Sequence, residues 1–315
     1  MTRFFLTIFA VVTLAASAAP SDFVQINLPT QATINKIDFE SSEQGWIATS
    51  TGEVFLTIDG GKTWRGRQVT QRAIRDIHIR GRIGILVGER GMIMRSLDRG
   101  GNWVDVSENI KYDFVGVGIV NDTSAVVCGN DLNSISKTKG VLFQTFDRGM
   151  TWRKYSTEFL GNGYTDVVVQ PPRKVYLLAS KRAFHSINAG IRYFRGQYGG
   201  SRLGFGSDFI DDWGFMVGSK GLFCETTDHG RNWEEVDVQI TKDLYAVEMF
   251  DKFSGVAVGQ DGLVVYFSES GKKFTVSSCG HQADLKTVCI TADKIFCGGT
   301  GGTLLVRPRG ETAGE

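Results

Sequence analysis

Short apolar stretches, separated by polar or glycine-bearing turns, run through almost the whole chain. In the first group, four stretches occupy Ile34–Phe39, Trp46–Ser50, Val54–Ile58 and Trp64–Val69. Each has the length and composition of a β-strand, and the turns between them fit antiparallel connections. The second stretch of later groups, such as Ile85–Gly88, is apolar at nearly every position, which indicates a strand covered on both faces. The pattern predicts an all-β protein built from four-stranded units.

One eight-residue phrase ends the third strand of most units. It reads Ser/Thr, any residue, Asp, any residue, Gly, any residue, Thr/Asn, Trp. Such an Asp accepts hydrogen bonds from backbone N–H groups just ahead of it, Gly tolerates a left-handed backbone, and Trp opens the next strand with a large apolar surface. We therefore interpret the Asp as structural rather than catalytic. The Asp and Trp of the four clear copies are Asp59 and Trp64, Asp98 and Trp103, Asp147 and Trp152, and Asp228 and Trp233.

The spacing of this phrase gives the number of units. Trp64 and Trp103 lie 39 residues apart, and weaker copies at Ser186–Tyr193 and Glu269–Phe274 fill the later gaps. A four-stranded repeat of about 40 residues is typical of a β-propeller blade. Six complete blades are followed by only three strands, and the stretch Phe23–Asn27 near the N-terminus supplies a fourth. The sequence predicts an all-β, seven-bladed β-propeller of four-stranded blades, with the last blade closed by the N-terminal strand.

Residues 1–18 have the features of a secretory signal peptide. Arg3 precedes an apolar run, and Ala16-Ser17-Ala18 is a small-residue cleavage site. The run is short for a membrane anchor, and no later stretch is apolar enough to cross a bilayer. No Cys follows the run, so the lipid-attachment signal of bacterial lipoproteins is missing. We expect residues 19–315 to form a single propeller domain, as a monomer, in the periplasm or outside the cell.

Composition adds little to this architecture. The chain has 39 glycines, 5 prolines and 42% hydrophobic residues, which is compatible with a sizeable β core. A formal net charge of only +1 and the export signal argue against nucleic-acid binding. None of the four histidines is spaced for metal binding with another His or with a Cys. We therefore predict neither a metal nor a cofactor.

Two pairs of segments carry a resemblance to a known family. Gly84–Gly91 with Ser96–Trp103, and Gly214–Gly221 with Thr226–Trp233, resemble the Asp-box (BNR) repeats of the photosystem II stability/assembly factor family. The likeness covers nearly the whole chain after the signal peptide. It implies a non-enzymatic propeller in a lumen or periplasm, which in photosynthetic organisms helps to assemble the photosystem II reaction centre. It also implies a protein partner within a membrane complex.

Basic residues are concentrated in the first two blades. Ten of them, against three acidic residues, lie between Lys62 and Arg99. Arginine suits bidentate binding of carboxylates, and the resemblance implies an arginine-rich patch that docks the partner. The alternative is a solvated basic edge that discourages strand pairing. The candidate protein-binding residues of this sector are Arg65, Arg67, Arg72, Arg75 and Arg90, of which the last three should share a face.

Further basic residues fall in the second-to-third-strand loops of blades 3 to 5, on the same face as Arg90. An insertion at 130–140 lengthens the loop of blade 3. A basic rim of this kind would fit an acidic docking segment of a protein partner, and the alternative is ordinary variation in loop length. The candidate residues are Lys137, Lys139, Lys181, Arg182 and Lys220.

An enzyme is the second hypothesis. Sialidases also carry Asp-box turns on a propeller, and other glycoside hydrolases place two carboxylates beside the scissile bond. The Arg-Ile-Pro phrase of sialidases has its nearest match in Arg82-Ile83-Gly84, which lacks the Pro. We predict that the protein is not an enzyme, and keep a sialidase-like Asp-box glycoside hydrolase acting on an extracellular glycan as the alternative.

The five cysteines leave at least one thiol unpaired. Cys289 and Cys297 are placed symmetrically about a turn near Asp293, where two strands of a hairpin could bring them to disulfide distance. A disulfide and a pair of small buried side chains are both compatible with the sequence. We favour the second, because Cys128 and Cys224 occupy ordinary strand positions.

Overall fold

The computed structural model describes residues 11–12, 22–107, 111–132, 139–155, 163–179, 182–269 and 271–309. Apart from residues 11 and 12, the predicted signal peptide lies outside these residues. Within the described residues there are seven sheets, each with four antiparallel strands and one with an additional short parallel strand, and helical structure is limited to four 3-10 turns. The predicted all-β, seven-bladed propeller is therefore confirmed.

The strands of each blade are counted from the central channel outward. Blade 1 consists of Ile34–Phe39, Gly45–Thr49, Glu53–Thr57 and Arg65–Gln68. Blade 2 consists of Ile74–Arg80, Ile83–Gly88, Ile93–Ser96 and Val104–Asp105. Blade 3 consists of Tyr112–Ile119, Ala125–Asp131, Gly140–Thr145 and Arg153–Lys154. Blades 4 and 5 consist of Tyr164–Gln170, Lys174–Ala179, Arg182–Ser186 and Phe194–Arg195; and Gly204–Ile210, Trp213–Gly218, Phe223–Thr226 and Glu234–Glu235. Blade 6 consists of Leu244–Asp251, Ser254–Gly259, Leu263–Ser268 and Lys273–Ser278.

Blade 7 joins the two ends of the chain. Its first three strands are Leu285–Ile290, Lys294–Gly299 and Leu304–Pro308, and its fourth is Val24–Ile26. Val24–Ile26 pairs antiparallel with Leu304–Pro308. The predicted closure by the N-terminal strand is thus confirmed, and it completes the ring between blades 7 and 1. Residues 11–12 add a short parallel pairing to the outer edge of blade 6.

The core lies between neighbouring blades. All six residues of Ile83–Gly88 and of Ser254–Gly259 are buried, as their continuous apolar sequences predict. Trp46 of blade 1 packs in one cluster with Ile77 and Leu86 of blade 2, and similar clusters lie between the other blades. Each blade therefore buries both faces, which explains why a strand with little polar alternation is suited to the second position.

The eight-residue turns share a set of hydrogen bonds. In blade 3, Thr145 Oγ1 donates to Asp147 Oδ1 at 2.7 Å, and the Met150 and Thr151 N–H groups donate to the same oxygen at 2.9 Å. The Gly149 N–H donates to Thr145 Oγ1 at 3.0 Å. Burial opposes ionisation of Asp147, but hydrogen bonds from Thr151, Thr145 and Met150 together lower its pKa to about 2. Asp59, Asp98 and Asp228 accept equivalent bonds, as does Asn188 in blade 4.

The aromatic residue of each turn packs beside its blade. Trp152 and Trp233 are buried, whereas Trp64 and Trp103 are partly buried against the clusters of their blades. The Trp64 indole N–H donates to the Gly61 carbonyl at 3.2 Å. The phrase therefore joins a hydrogen-bonded turn to an apolar contact, which explains why its residue types recur together.

All five cysteines are free and buried. Cys289 lies opposite Phe296, and Cys297 lies opposite Val288. The two thiols therefore occupy neighbouring positions in the register, whose side chains point to opposite faces of the sheet. Cys297 packs between blades 6 and 7, and Cys289 between blades 7 and 1. The disulfide alternative is wrong, and the two residues are small buried side chains.

Candidate functional site

The connections of the seven blades form two opposite faces of the disc. Because the strands of a blade run antiparallel, the second-to-third-strand loops and the connections between blades lie together on one face, which we call the loop face. The first-to-second-strand loops and the eight-residue turns lie on the other, which we call the turn face. Backbone bonds agree with this division: the Arg99 N–H in a turn donates to the carbonyl of Arg82 in the neighbouring loop at 3.1 Å.

Several loops on the loop face have the same rigid geometry. Arg90, Lys220 and Asp261 occupy the middle of a 3-10 turn with left-handed φ values of 55°, 53° and 53°. The backbone N–H of each donates to an Asp of the next blade, at 2.9, 2.9 and 3.1 Å; the acceptors are Asp113, Asp243 and Asp284. These turns therefore fix the backbone of their central residue, whose side chain is exposed at the face.

The five predicted arginines of the basic sector are not equivalent. Arg72 pairs with Asp105 at 2.6 Å and Arg75 with Glu89 at 2.8 Å, so two cations of the loop face are partly neutralised. Arg90 is exposed, and its guanidinium has no hydrogen-bond or ion-pair partner among the described residues. Arg67 donates to the Gly100 carbonyl in a turn at 2.7 Å. Arg65 is exposed on the fourth strand of blade 1.

The predicted basic rim is partly visible. Lys139 and Lys220 are exposed and Arg182 is half-buried, in the second-to-third-strand loops or at their ends. Lys137 and Lys181 lie outside the described residues. At the position of Arg90, the equivalent loops of blades 1, 6 and 7 carry Thr51, Asp261 and Gly301. Cations of this loop position are therefore confined to blades 2 to 5, in an arc around the channel mouth.

The channel mouth on the loop face adds aromatic rings to these charges. Phe205 and Tyr245 stack with their ring centroids 5.9 Å apart. The Lys286 ammonium lies 3.5 Å from the Tyr245 ring centroid and 3.0 Å from a carboxylate oxygen of Asp284. Both rings, Lys286 and Arg75 line the central cavity. The mouth can therefore contact apolar groups as well as anions.

Below the mouth, the first strands enclose a polar cavity of about 410 Å³. Two layers of side chains point into it. The upper layer has Lys36, Asp76 and Asp166, and the lower layer has Asp208 and Glu248. Asp38 and His78 also line the lower layer. Carboxyl groups outnumber ammonium groups here, in contrast to the basic sector outside.

These channel side chains connect neighbouring blades. Val117 N–H donates to Asp76 at 2.8 Å, Ser207 N–H to Asp166 at 2.8 Å, and Met249 N–H to Asp208 at 2.8 Å. In each pair the donor lies one blade further round the ring than the acceptor. Asp38, His78, Glu248 and Thr287 accept equivalent bonds from Ile79, Ile119, Ile290 and Ile37. The polar residues of the channel therefore stabilise the contacts between neighbouring blades.

Burial changes the acidity of the channel groups. It raises the pKa of Glu248 to about 8 and that of Asp208 to about 6. Burial also raises the pKa values of Asp76 and Asp166, against the opposing charge of Lys36. The carboxylate of Asp76, 3.7 Å away, is the main cause that raises the pKa of Lys36. The lysine therefore stays charged in the channel, whereas Glu248 is largely protonated at neutral pH.

The sequence reasoning missed this layer of channel residues. The signal was present, because Lys36 and Asp76, and likewise Asp208 and Glu248, are 40 residues apart. Forty residues is the length of one blade repeat, so the polar residues recur at the same position of the first strand in successive blades. Without the ring, such positions look like ordinary solvent-facing residues of a half-buried strand.

Comparison with known proteins is consistent with the geometry. The photosystem II stability/assembly factor HCF136 of Arabidopsis thaliana chloroplasts is 20% identical over 327 residues, which cover 78% of this chain and 79% of that protein. The photosystem II assembly lipoprotein Ycf48 of Synechococcus sp. (strain CC9902) is 24% identical over 151 residues, which cover 46% and 43%. A solved structure of YCF48 bound to D1 peptide has a TM-score of 0.74 at 18% identity, with coverage of 95% and 97%.

Among the described residues, no helix has the length and apolar character needed to cross a bilayer.

The family model of the photosynthesis system II assembly factor YCF48 matches residues 15–190, which is more than half of the chain. The resemblance predicted from the repeats is therefore confirmed: the chain belongs to the YCF48 photosystem II assembly factor family.

Proposed function

We propose that this protein is a non-enzymatic docking platform that binds a segment of another protein during the assembly of a membrane complex. Membership of the YCF48 family supports this, as does the related solved structure, in which YCF48 is bound to D1 peptide. In a photosynthetic host the complex would be photosystem II. Residues 1–18 would be removed on export, leaving residues 19–315 as one monomeric domain in a periplasm or lumen.

One observation carries the choice of surface. Arg90 and Lys220 are presented on rigid turns of the loop face, without side-chain partners among the described residues. Together with Lys139 and Arg182 they form an arc over blades 2 to 5. An arc of unpaired cations on already ordered backbone attracts an extended acidic segment, because no intramolecular ion pair has to be broken and no turn has to be ordered on binding. Lys137 and Lys181 would extend this arc if they lie as the sequence suggests.

The ion-paired arginines contribute less to this binding surface than the unpaired cations do. Arg72 and Arg75 each share their charge with an acidic neighbour, and Arg65 and Arg67 lie on the outer edge of blade 1. We assign binding mainly to Arg90, Lys220, Lys139 and Arg182. The stacked rings of Phe205 and Tyr245 would take an apolar residue of the same segment at the channel mouth.

A glycoside hydrolase is the second candidate, and the central cavity is the observation that favours it. Asp208 and Glu248 line one cavity, and their raised pKa values of about 6 and 8 suit a general acid. Against this, each accepts a backbone hydrogen bond from the next blade. We therefore assign these carboxyl groups, and likewise Asp59, Asp98, Asp147 and Asp228 in the turns, to structure.

The test is capture of a membrane complex from the host by the immobilised protein. The informative variant is Arg90→Asp with Lys220→Asp, because Asp261 occupies the same left-handed position in blade 6. The control is Arg231→Asp with Lys272→Asp, which changes the charge equally on the turn face. Bound proteins are identified by mass spectrometry.

We expect the unchanged protein and the control to capture the same complex, and the loop-face variant to lose it. Equal capture by all three would place binding elsewhere. If nothing is captured and the protein hydrolyses a glycan, with activity lost in Glu248→Gln, the hydrolase would be the correct function.

A further inference from the structure

The turn face carries exposed apolar side chains at repeated positions. The residue before the Asp of the eight-residue turn, or before the Asn that replaces it in blade 4, is Ile58 in blade 1, Leu97 in blade 2, Phe146 in blade 3 and Ile187 in blade 4. Their exposed fractions are 65%, 41%, 51% and 50%. Met150 and Ile191, later in the turns of blades 3 and 4, are 60% and 61% exposed. We call the six residues Ile58, Leu97, Phe146, Met150, Ile187 and Ile191 the tip arc.

The tip arc is fixed in place by the turns that carry it. In blade 3, Phe146 directly precedes Asp147 and Met150 lies three residues after it, and Asp147 accepts hydrogen bonds from Thr145, Met150 and Thr151. These bonds therefore fix the backbone positions of both residues at the tip of the blade. A single exposed apolar side chain is normal on a protein surface, but six of them at repeated positions of four neighbouring turns favour an interaction site.

Cations accompany the apolar tips. The same turns carry Lys62, Arg99, Arg148 and Arg192, all of them exposed. The first-to-second-strand loops of blades 2 to 4 add Arg82 and Arg173, against Asp122 alone. The corresponding loops of the other blades are mainly acidic, and they contain Glu40, Glu43, Asp211, Asp212 and Asp293. The turn face is therefore basic on the side of blades 2 to 4, where most of the tip arc lies.

The tip arc also ends where the charge changes. In blade 5 the residue before the turn Asp is Thr227, and the position of Met150 and Ile191 is occupied by Arg231. One side of the disc thus combines six apolar side chains with several cations. On the other side the exposed Phe253 stands beside Lys252, whose charge is paired with Asp211 and Asp212. The asymmetry indicates a surface that approaches its partner at a tilt.

We propose that the tip arc seats the propeller on the surface of a bilayer that contains anionic lipids. The apolar tips enter the boundary between headgroups and acyl chains, and the neighbouring arginines and lysine contact lipid phosphates. A protein groove is a poorer match, because the six side chains are distributed over four separate turns, each one blade from the next. This arrangement directs the loop face away from the membrane.

Site-specific fluorescence tests this contact in the full chain. Because all five native thiols are buried, a polarity-sensitive dye can be attached to a single introduced thiol in Phe146→Cys or Ile187→Cys. Thr227→Cys, at the equivalent position of blade 5, is the matched control. The vesicles contain equal amounts of phosphatidylcholine and phosphatidylglycerol, and pure phosphatidylcholine vesicles provide the uncharged comparison.

We expect anionic vesicles to shift the emission of the dye to the blue at positions 146 and 187 but not at 227, with a smaller response to phosphatidylcholine alone. If the protein bound the vesicles only through the apolar run near residues 4–14, the dye would respond alike at positions 146, 187 and 227. No response, or an equal response at 227, would overturn the proposal. So would a response to a soluble protein fraction in place of vesicles.

A second measurement uses substitutions to the residue type that the chain already has at the equivalent position of another blade. Phe146→Thr with Ile187→Thr reproduces the residue found at this place in blade 5, so the turns should keep their shape. We expect the partition coefficient onto anionic vesicles to fall by about tenfold or more. Phe253→Thr, at an exposed loop of blade 6 outside the tip arc, should leave it unchanged. Arg90→Asp with Lys220→Asp should also leave it unchanged, which separates this proposal from the docking function.

Discussion

The carboxylate of Asp76 accepts a hydrogen bond of 2.8 Å from the backbone N–H of Val117, in the neighbouring blade. It also accepts one of 2.9 Å from Ile77 in its own strand, and the Lys36 ammonium of the preceding blade lies 3.7 Å away. A single buried side chain thus connects blades 1, 2 and 3. Neighbouring blades are separate sheets, so a bond of this kind supplements their apolar contacts with a directional one.

We expect Asp76→Ala to destabilise the propeller strongly. The substitution leaves Lys36 without its nearest counter-charge and the Val117 N–H without its acceptor. Because the Lys36 side chain is 41% exposed, most of the cost comes from the buried Val117 N–H, and a buried donor left without its acceptor lowers the free energy of unfolding by about 1–3 kcal/mol. Urea denaturation followed by tryptophan fluorescence measures the change. Asp122→Ala, in an exposed loop of blade 3, is the control, and a similar small effect of both variants would contradict the structural role of Asp76.

The stability of the channel should depend on pH through Glu248. Burial raises its pKa from an ordinary 4.5 to about 8, so the folded state binds a proton more tightly than the unfolded chain. The resulting stabilisation is fully present below pH 4.5 and is lost as the pH rises through about 8. Glu248→Gln keeps an acceptor for the Ile290 N–H and removes the charge. It should therefore exceed the unchanged protein in stability at pH 9, by an amount on the order of 1–3 kcal/mol.

The same comparison at pH 4 provides the internal check. There both proteins carry an uncharged group at position 248, so their free energies of unfolding should be nearly equal. Glu43→Gln, on the exposed loop of blade 1, should show no difference at either pH. If Glu248→Gln were less stable than the unchanged protein at pH 9, the ionised carboxylate would have to be favourable in the channel.

Much of the fold could be predicted from the sequence, because the turn residues that separate its strands recur in a clear pattern. The turn around Asp98 repeats the turn around Asp59 at nearly the same spacing, and its hydrogen bonds are local, so residue types alone determine them. Closure by Val24–Ile26 could be predicted from a count of strands. A ring with a missing strand leaves one open edge, and the N-terminal stretch was the available segment.

The candidate site was harder to predict, because its properties depend on contacts between blades. Arg75 and Arg90 look alike in the sequence, but Glu89 lies within reach of the Arg75 guanidinium and pairs with it. Arg67, predicted in the same basic sector, reaches the Gly100 carbonyl of the next blade. Which long side chain keeps a free charge is decided by neighbours 10 to 40 residues away, and periodicity does not specify them.

The turn of blade 3 allows a direct test of the Asp side chain. Asp147→Ala removes the acceptor for Thr145, Met150 and Thr151, and should lower the free energy of unfolding by about 1–3 kcal/mol. Asp147→Asn should have a much smaller effect, because Asn188 performs the same task in blade 4, where Ser186 Oγ and the Arg192 N–H both donate to Asn188 Oδ1 at 2.9 Å. Equal loss in both variants would show that the turn needs the negative charge.

Among the described residues, the interface between blades 3 and 4 lacks a polar channel contact of the Asp76 kind, and close packing replaces it. A Cβ at Gly118 would lie 2.2 Å from Val169 Cγ2 of the next blade. We expect Gly118→Ala to lower the free energy of unfolding by about 1–3 kcal/mol, because the first strands must move apart. At Gly199 a Cβ would meet nothing within 4 Å, so Gly199→Ala should be near neutral. If urea denaturation gave equal midpoints for the two variants, the first strands would have room to separate at this interface.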